Sequence, residues 1–237
     1  MSCPPLVPQS LRRPAVLVAI GCWVVAAALG VWYAGEHTPG GVDATIVRWV
    51  HAAITEEGMF ARVLTGPTHP IVTYPVIALV LGVAVFRRWW ERAVFTVAAP
   101  GLCVALTELL FKPLIGRTDD GVLSYPSGHT VSATATFAVA VLVITVDWPA
   151  RWRWAAAGLL VLLWLVFAVG LVGMDYHYFT DTIGGFLVAI GVVLPLAILT
   201  DRLSARREQA GRGGTAPPTG TPPADTSSGI PRPASPR

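Results

Sequence analysis

The stretch SYPSGHTVSATATFAVAV, residues 124–141, changes character halfway along. Its right half is small and apolar, with hydroxyls as its only polarity, and reads as a membrane span. Its left half sets Ser127, Gly128 and His129 behind Pro126, where the chain enters that span. A histidine at the mouth of an apolar helix needs a chemical reason. The rest of the chain supplies the setting in which to look for one.

Of the 237 residues, 54% are hydrophobic and only 13% charged. A soluble domain carries about 25% charged residues, so the composition points to one integral membrane domain with a polar tail. The chain has 17 basic residues, and Lys112 is the single lysine among them. The three cysteines, Cys3, Cys22 and Cys103, have neither metal-ligand spacing nor the look of a disulfide framework. They read as small hydrophobes.

Six apolar runs lie near the ~20 residues that a helix needs to cross a bilayer: 15–33, 71–86, 93–111, 130–146, 155–172 and 183–199. The second is the shortest and contains Pro75. The first follows Arg12 and Arg13, is long, and has no clean small-residue cleavage site after it, so it reads as a retained anchor. The expected fold is therefore all-α: a polytopic membrane helical bundle of about six transmembrane helices with a disordered C-terminal tail. The expected divisions are a cytoplasmic N-terminal tail at 1–14, a six-span domain at 15–203 and a Pro/Gly/Arg-rich tail at 204–237. That tail has too few apolar residues to order itself.

Arginine bias sets the expected orientation. A cytoplasmic N-terminus places 13 of the 17 basic residues inside, leaving Arg48, Arg62, Lys112 and Arg117 outside with all five histidines. Both termini are then cytoplasmic and the expected location is the plasma membrane. The outer segment 36–70 holds Val42, Ile46, Val47, Val50, Ile54, Phe60, Val63 and Leu64, much of it at helical spacing, so part of it is expected to form an amphipathic helix on the outer leaflet.

Two outer loops concentrate polar chemistry. In 111–130, Lys112 and Arg117 precede Pro126-Ser127-Gly128-His129. Ser127 is a suitable N-cap, Gly128 lets a ligand approach the backbone, and a helix N-terminus attracts phosphate. Two cations, a hydroxyl and that terminus describe an oxyanion site. In 172–185, His177 and Asp181 stand at i, i+4 and share a face if helical. A carboxylate on one ring nitrogen fixes the tautomer and frees the other. Glu108, one turn before Lys112, is expected to pair with Lys112 or another cation.

In their order these residues resemble the motifs of the type 2 phosphatidic acid phosphatase family, the membrane lipid-phosphatase branch of the vanadium haloperoxidase superfamily. The family pattern runs Lys-x6-Arg-Pro, then Pro-Ser-Gly-His, then Ser-Arg-x5-His-x3-Asp. Pro126 to His129 match the second motif in full, His177 and Asp181 match the end of the third, and Lys112 opens the first. Two places depart: Asp119-Asp120 stands for Arg-Pro, and Gly170-Leu171 for Ser-Arg. Arg117 lies two residues before the missing arginine, where some members carry an additional Arg after Gly.

The resemblance implies that His177 is the nucleophile, Asp181 its orienting partner and His129 the general acid and then base. Lys112, Arg117, Ser127 and the Gly128 N–H are implied as phosphate ligands, with no metal and no cofactor. The implied partner is an amphiphilic phosphorylated lipid (a lipid phosphate, a lipid pyrophosphate or a polyprenyl carrier) taken from the surrounding membrane lipids, and nothing points to nucleic acid. The same histidines would serve a lipid phosphotransferase, and the two missing arginines leave room for a member that only binds lipid phosphate. Oligomeric state is not encoded in these motifs.

Overall fold

The computed structural model describes residues 4–54 and 59–213. Among them, helices α1 (Arg12–Trp32), α2 (Gly41–Ala53), α3 (Met59–Thr65), α4 (Pro70–Phe86) and α5 (Trp90–Leu106) follow in order. A π turn (Thr107–Phe111) leads into the short α6 (Lys112–Ile115). A two-stranded hairpin of β1 (Thr118–Asp119) and β2 (Val122–Leu123) precedes α7 (Gly128–Ile144), α8 (Ala150–Gly173) and α9 (Phe179–Gly213). Among the described residues, five helical runs are long and apolar enough to cross a membrane: Gln9–Trp32, Met59–Phe86, Trp90–Ile115, Ala150–Gly173 and Phe179–Ala210. The shorter apolar helix Gly128–Ile144 makes the sixth expected run. Helices suit such runs because hydrocarbon offers no partner for an open backbone N–H or C=O.

Helix α7 packs against α4, α5, α8 and α9 and forms the centre of the bundle. Val131, Ala133, Ala135, Ala138, Val139 and Val143 are buried along it. Its alanines and threonines let neighbouring backbones come close, which is how membrane helices gain contact without a hydrophobic driving force between them. Beyond the arginines in the first turns of α1 and α8, the residues that α1, α4 and α8 leave exposed are largely apolar, Leu17, Val31, Ile71, Leu79, Leu159 and Leu162 among them, as a lipid-facing surface requires.

Three boundaries differ from the sequence expectation. The second span is not confined to 71–86: α3, the 3-10 turn Gly66–Thr68 and α4 form one run interrupted only by the extended His69, with Pro67 and Pro70 at first-turn positions where their missing N–H groups cost nothing. Helix α9 continues to Gly213, ten residues into the segment expected to be a disordered tail from 204. Positions 214–237 of that tail lie outside the described residues. The N-terminal segment is also held: the Leu6 and Val7 amides donate to the Asp201 carboxylate at 2.8 and 3.0 Å, and both side chains are buried.

The expected amphipathic helix in 36–70 is α2. It exposes Val42 and Trp49 and buries Asp43 in its first turn.

Candidate active site

The histidines and acids that the sequence singles out meet at one end of the bundle. Ser127 caps α7, its Oγ accepting from the Thr130 N–H at 3.3 Å. The Ser127 N–H donates to the Asp181 carbonyl at 3.0 Å, which ties the Pro-Ser-Gly-His turn to the start of α9. Gly185 permits that contact. A Cβ there would lie 2.7 Å from the Ser127 carbonyl and 2.9 Å from the Thr130 side chain.

His129 Nδ1 and His177 Nε2 stand 3.3 Å apart. His129 is at the exposed rim, in parallel stacking with Tyr176. His177 lies below it, 8% exposed. Burial, aided by the charges of His129 and Lys112, pushes its pKa down to about 3, so its imidazole is neutral at physiological pH. The other ring nitrogen, Nδ1, points toward Asp181 Oδ2 at 4.0 Å. That is ion-pair range, too long for a hydrogen bond, and His177 Nδ1 has no hydrogen-bond partner among the described residues.

Lys112 reaches the site because the helix changes pitch just before it. Pro113 has no N–H to continue an α-helical ladder, and the preceding Thr107–Phe111 segment widens into a π turn. Lys112 Nζ pairs with Glu108 at 2.8 Å, as their spacing suggests. Both lie over Gly128: a Cβ there would meet Glu108 Oε1 at 2.5 Å and Lys112 Nζ at 3.6 Å. The N-terminus of α7 therefore already has a carboxylate and an ammonium above it.

Two expected phosphate ligands are placed elsewhere. Ser127 is fully buried, and its hydroxyl serves the cap. Arg117 is also fully buried. Its NH1 donates to Asp181 Oδ1 at 2.5 Å and to Thr180 Oγ1 at 2.7 Å, and its NH2 to Asp43 Oδ2 at 2.7 Å. Its guanidinium lies between the rings of Tyr33 and Tyr178, 4.1 and 4.7 Å from their centroids. Burial opposes its charge, but the fields of Asp181 and Asp43 outweigh that and raise its pKa. The correction has a simple physical cause: two buried carboxylates hold a guanidinium more firmly than open water above the loop can.

The two departures from the family pattern have structural counterparts. Asp119 ends β1, and Asp120-Gly121 forms the turn of the hairpin, with φ of +46° and +80°. Asp-Gly favours such a turn. Asp119 is half-buried, and burial pushes its carboxyl up against the pull of the nearby Tyr178 hydroxyl. At Gly170 a Cβ would sit 2.7 Å from Leu64 Cβ, so α3 occupies the space of a larger residue, and Leu171 is buried beside Ala133 and Phe167.

Sequence reasoning missed Asp43. It is the one acid of α2, but its partners Arg117 and Thr180 lie 74 and 137 residues away. No local pattern joins them. Among the described residues, no group of three or more His, Cys, Asp or Glu could hold a metal ion.

Compared with known proteins, residues 72–204 match the model of the PAP2 superfamily, which is more than half of the chain. No curated protein and no solved structure matches.

Proposed function

The chain belongs to the PAP2 superfamily, and from that premise we propose that it is an integral-membrane phosphatase acting on a lipid phosphate or lipid pyrophosphate through a phosphohistidine. His177 Nε2 attacks phosphorus, and the bond from phosphorus to the lipid oxygen breaks. His129 gives its proton to the departing alkoxide. Water then attacks the phosphohistidine, His129 takes the proton, and inorganic phosphate leaves. Asp181 faces the far nitrogen of His177 and stabilises the positive charge that the ring gains. Lys112 and the Gly128 N–H hold the nonbridging oxygens, where fixed donors act on the charge of the transition state. The phosphate displaces the Glu108 carboxylate from above Gly128.

The observation that carries this reading is the 3.3 Å approach of His129 and His177 with Asp181 behind. One ring nitrogen of His177 faces the acid and the other faces the general acid–base partner. The imidazole is kept neutral, as a nucleophile must be. General acid–base help of this kind contributes about 10²–10⁴-fold.

The arginine bias supports an extracytoplasmic site in the plasma membrane, with both termini cytoplasmic. The substrate is then an amphiphile of the outer leaflet, drawn from the membrane lipids and dephosphorylated without a metal.

The test is phosphate release from a panel of lipid phosphates and pyrophosphates by purified protein in detergent with chelator present. His177→Ala is expected to abolish release while the protein stays inserted. Release that needs an added divalent cation, or survives in His177→Ala, overturns the mechanism. Cysteines placed singly at Thr118 and Gln209 test orientation: an impermeant reagent on intact cells is expected to label only the first.

A further inference from the structure

We propose that Asp43 is a positioning residue for the His177 reaction, acting through Arg117 and Asp181. The inference rests on the reading of His177 as nucleophile. Asp43 lies on α2, outside the residues 72–204 that match the family, so it adds a device of this chain to a shared centre.

Asp43, Arg117 and Asp181 are all fully buried. Arg117 spans the two carboxylates, with NH2 on Asp43 Oδ2 and NH1 on Asp181 Oδ1. Thr180 closes the ring: its N–H donates to Asp43 Oδ1 at 3.0 Å and its hydroxyl to Asp43 Oδ2 at 2.6 Å. Thr180 precedes Asp181, so Asp43 holds the backbone that carries the acid. With Arg117 on Oδ1, Asp181 keeps Oδ2 for His177, and the Tyr178 N–H steadies that oxygen at 3.2 Å. The network thus fixes which carboxylate oxygen faces the nucleophile.

Charge gives the stronger argument. His177 becomes cationic when it takes the phosphoryl group, and a nearby net negative charge stabilises that state. Arg117 with Asp181 alone sums to zero. Asp43 brings the cluster to −1, restoring what Arg117 removes. Low dielectric around the buried groups makes the difference felt. Two carboxylates and one guanidinium therefore do the work of a lone carboxylate, with the geometry pinned at both ends.

The test uses full-length protein in detergent and reads kcat and KM for whichever lipid phosphate the panel identifies, with melting followed in parallel. Asp43→Asn is expected to lower kcat tenfold or more with KM changed less than twofold. The double variant Asp43→Asn with Arg117→Gln returns the cluster to −1 and is expected to recover at least threefold over Asp43→Asn alone. If Asp43→Asn fails to fold, Asp43→Glu is read in its place: it keeps the charge but lengthens the arm, so kcat is expected to fall at least threefold with KM changed less than twofold, and an unchanged kcat there likewise overturns the proposal. Asp201→Asn removes a buried carboxylate at the opposite end of the bundle and is expected to lower melting without changing kcat. Unchanged kcat in Asp43→Asn overturns the proposal, as does a loss in kcat that simply follows melting and is not relieved in the double variant. Activity in His177→Ala would instead sink the underlying mechanism.

Discussion

Arg117→Lys separates two roles for this residue. From the sequence Arg117 reads as a phosphate ligand; in the structure it is a buried strut between Asp43 and Asp181. Lysine can reach one of those carboxylates but not both at 2.5 and 2.7 Å, because it carries a point charge instead of a planar fork. The carboxylate left alone stays buried, and breaking a buried pair in this way costs about 3–5 kcal/mol. Loss of the guanidinium from between Tyr33 and Tyr178 adds about 1 kcal/mol more. The lower end of the first figure alone, about 3 kcal/mol, lowers Tm by about 6–12 °C for a chain of this size. The assay is thermal unfolding of purified protein in detergent, beside Arg62→Lys, where the side chain is exposed and Tm should move by less than about 2 °C. An Arg117→Lys protein with wild-type Tm and a tenfold loss in kcat/KM would refute the buried-strut account and return Arg117 to the phosphate.

Three further outcomes follow from other parts of the structure. Asp201→Ala strips the acceptor from two buried amides, Leu6 and Val7, and at about 1–3 kcal/mol for each orphaned group should lower Tm measurably; an unchanged Tm would show that the N-terminal segment does not dock there. Gly185→Ala drives a methyl into the Ser127 carbonyl, so overpacking should cost about 1–3 kcal/mol and reduce turnover by shifting His129 against His177; full activity would mean that the two loops need no such close approach. Because the folded-state pKa of His177 is depressed to about 3, the unfolded chain binds a proton there that the folded chain refuses. Its contribution to stability is complete above about pH 6.5 and lost as pH falls toward 3, by up to about 1.4 kcal/mol per unit. His177→Asn should therefore flatten the fall in Tm between pH 6.5 and 4, and parallel curves for the two proteins would refute the shift.

The helical membrane fold was legible from hydropathy because the requirement is local: each run must be apolar over its own length and satisfy its own backbone. The Pro-Ser-Gly-His turn was legible for a similar reason, since Ser127 caps the helix that it opens. His177 and Asp181 were legible as a pair four residues apart, although His177 precedes α9 instead of sharing its first turn, and the sequence could not give the 4.0 Å between Nδ1 and Oδ2. What the sequence could not decide was the direction in which polar side chains turn. Lys112 faces Gly128 because a π turn rotates it there, and Arg117, five residues on, turns inward. Its choice depends on Asp43, 74 residues earlier on a helix outside the shared family region, and on Asp181, 64 residues later. A buried charge takes whatever opposite charge the packed bundle leaves within reach, and that is a property of the assembled helices.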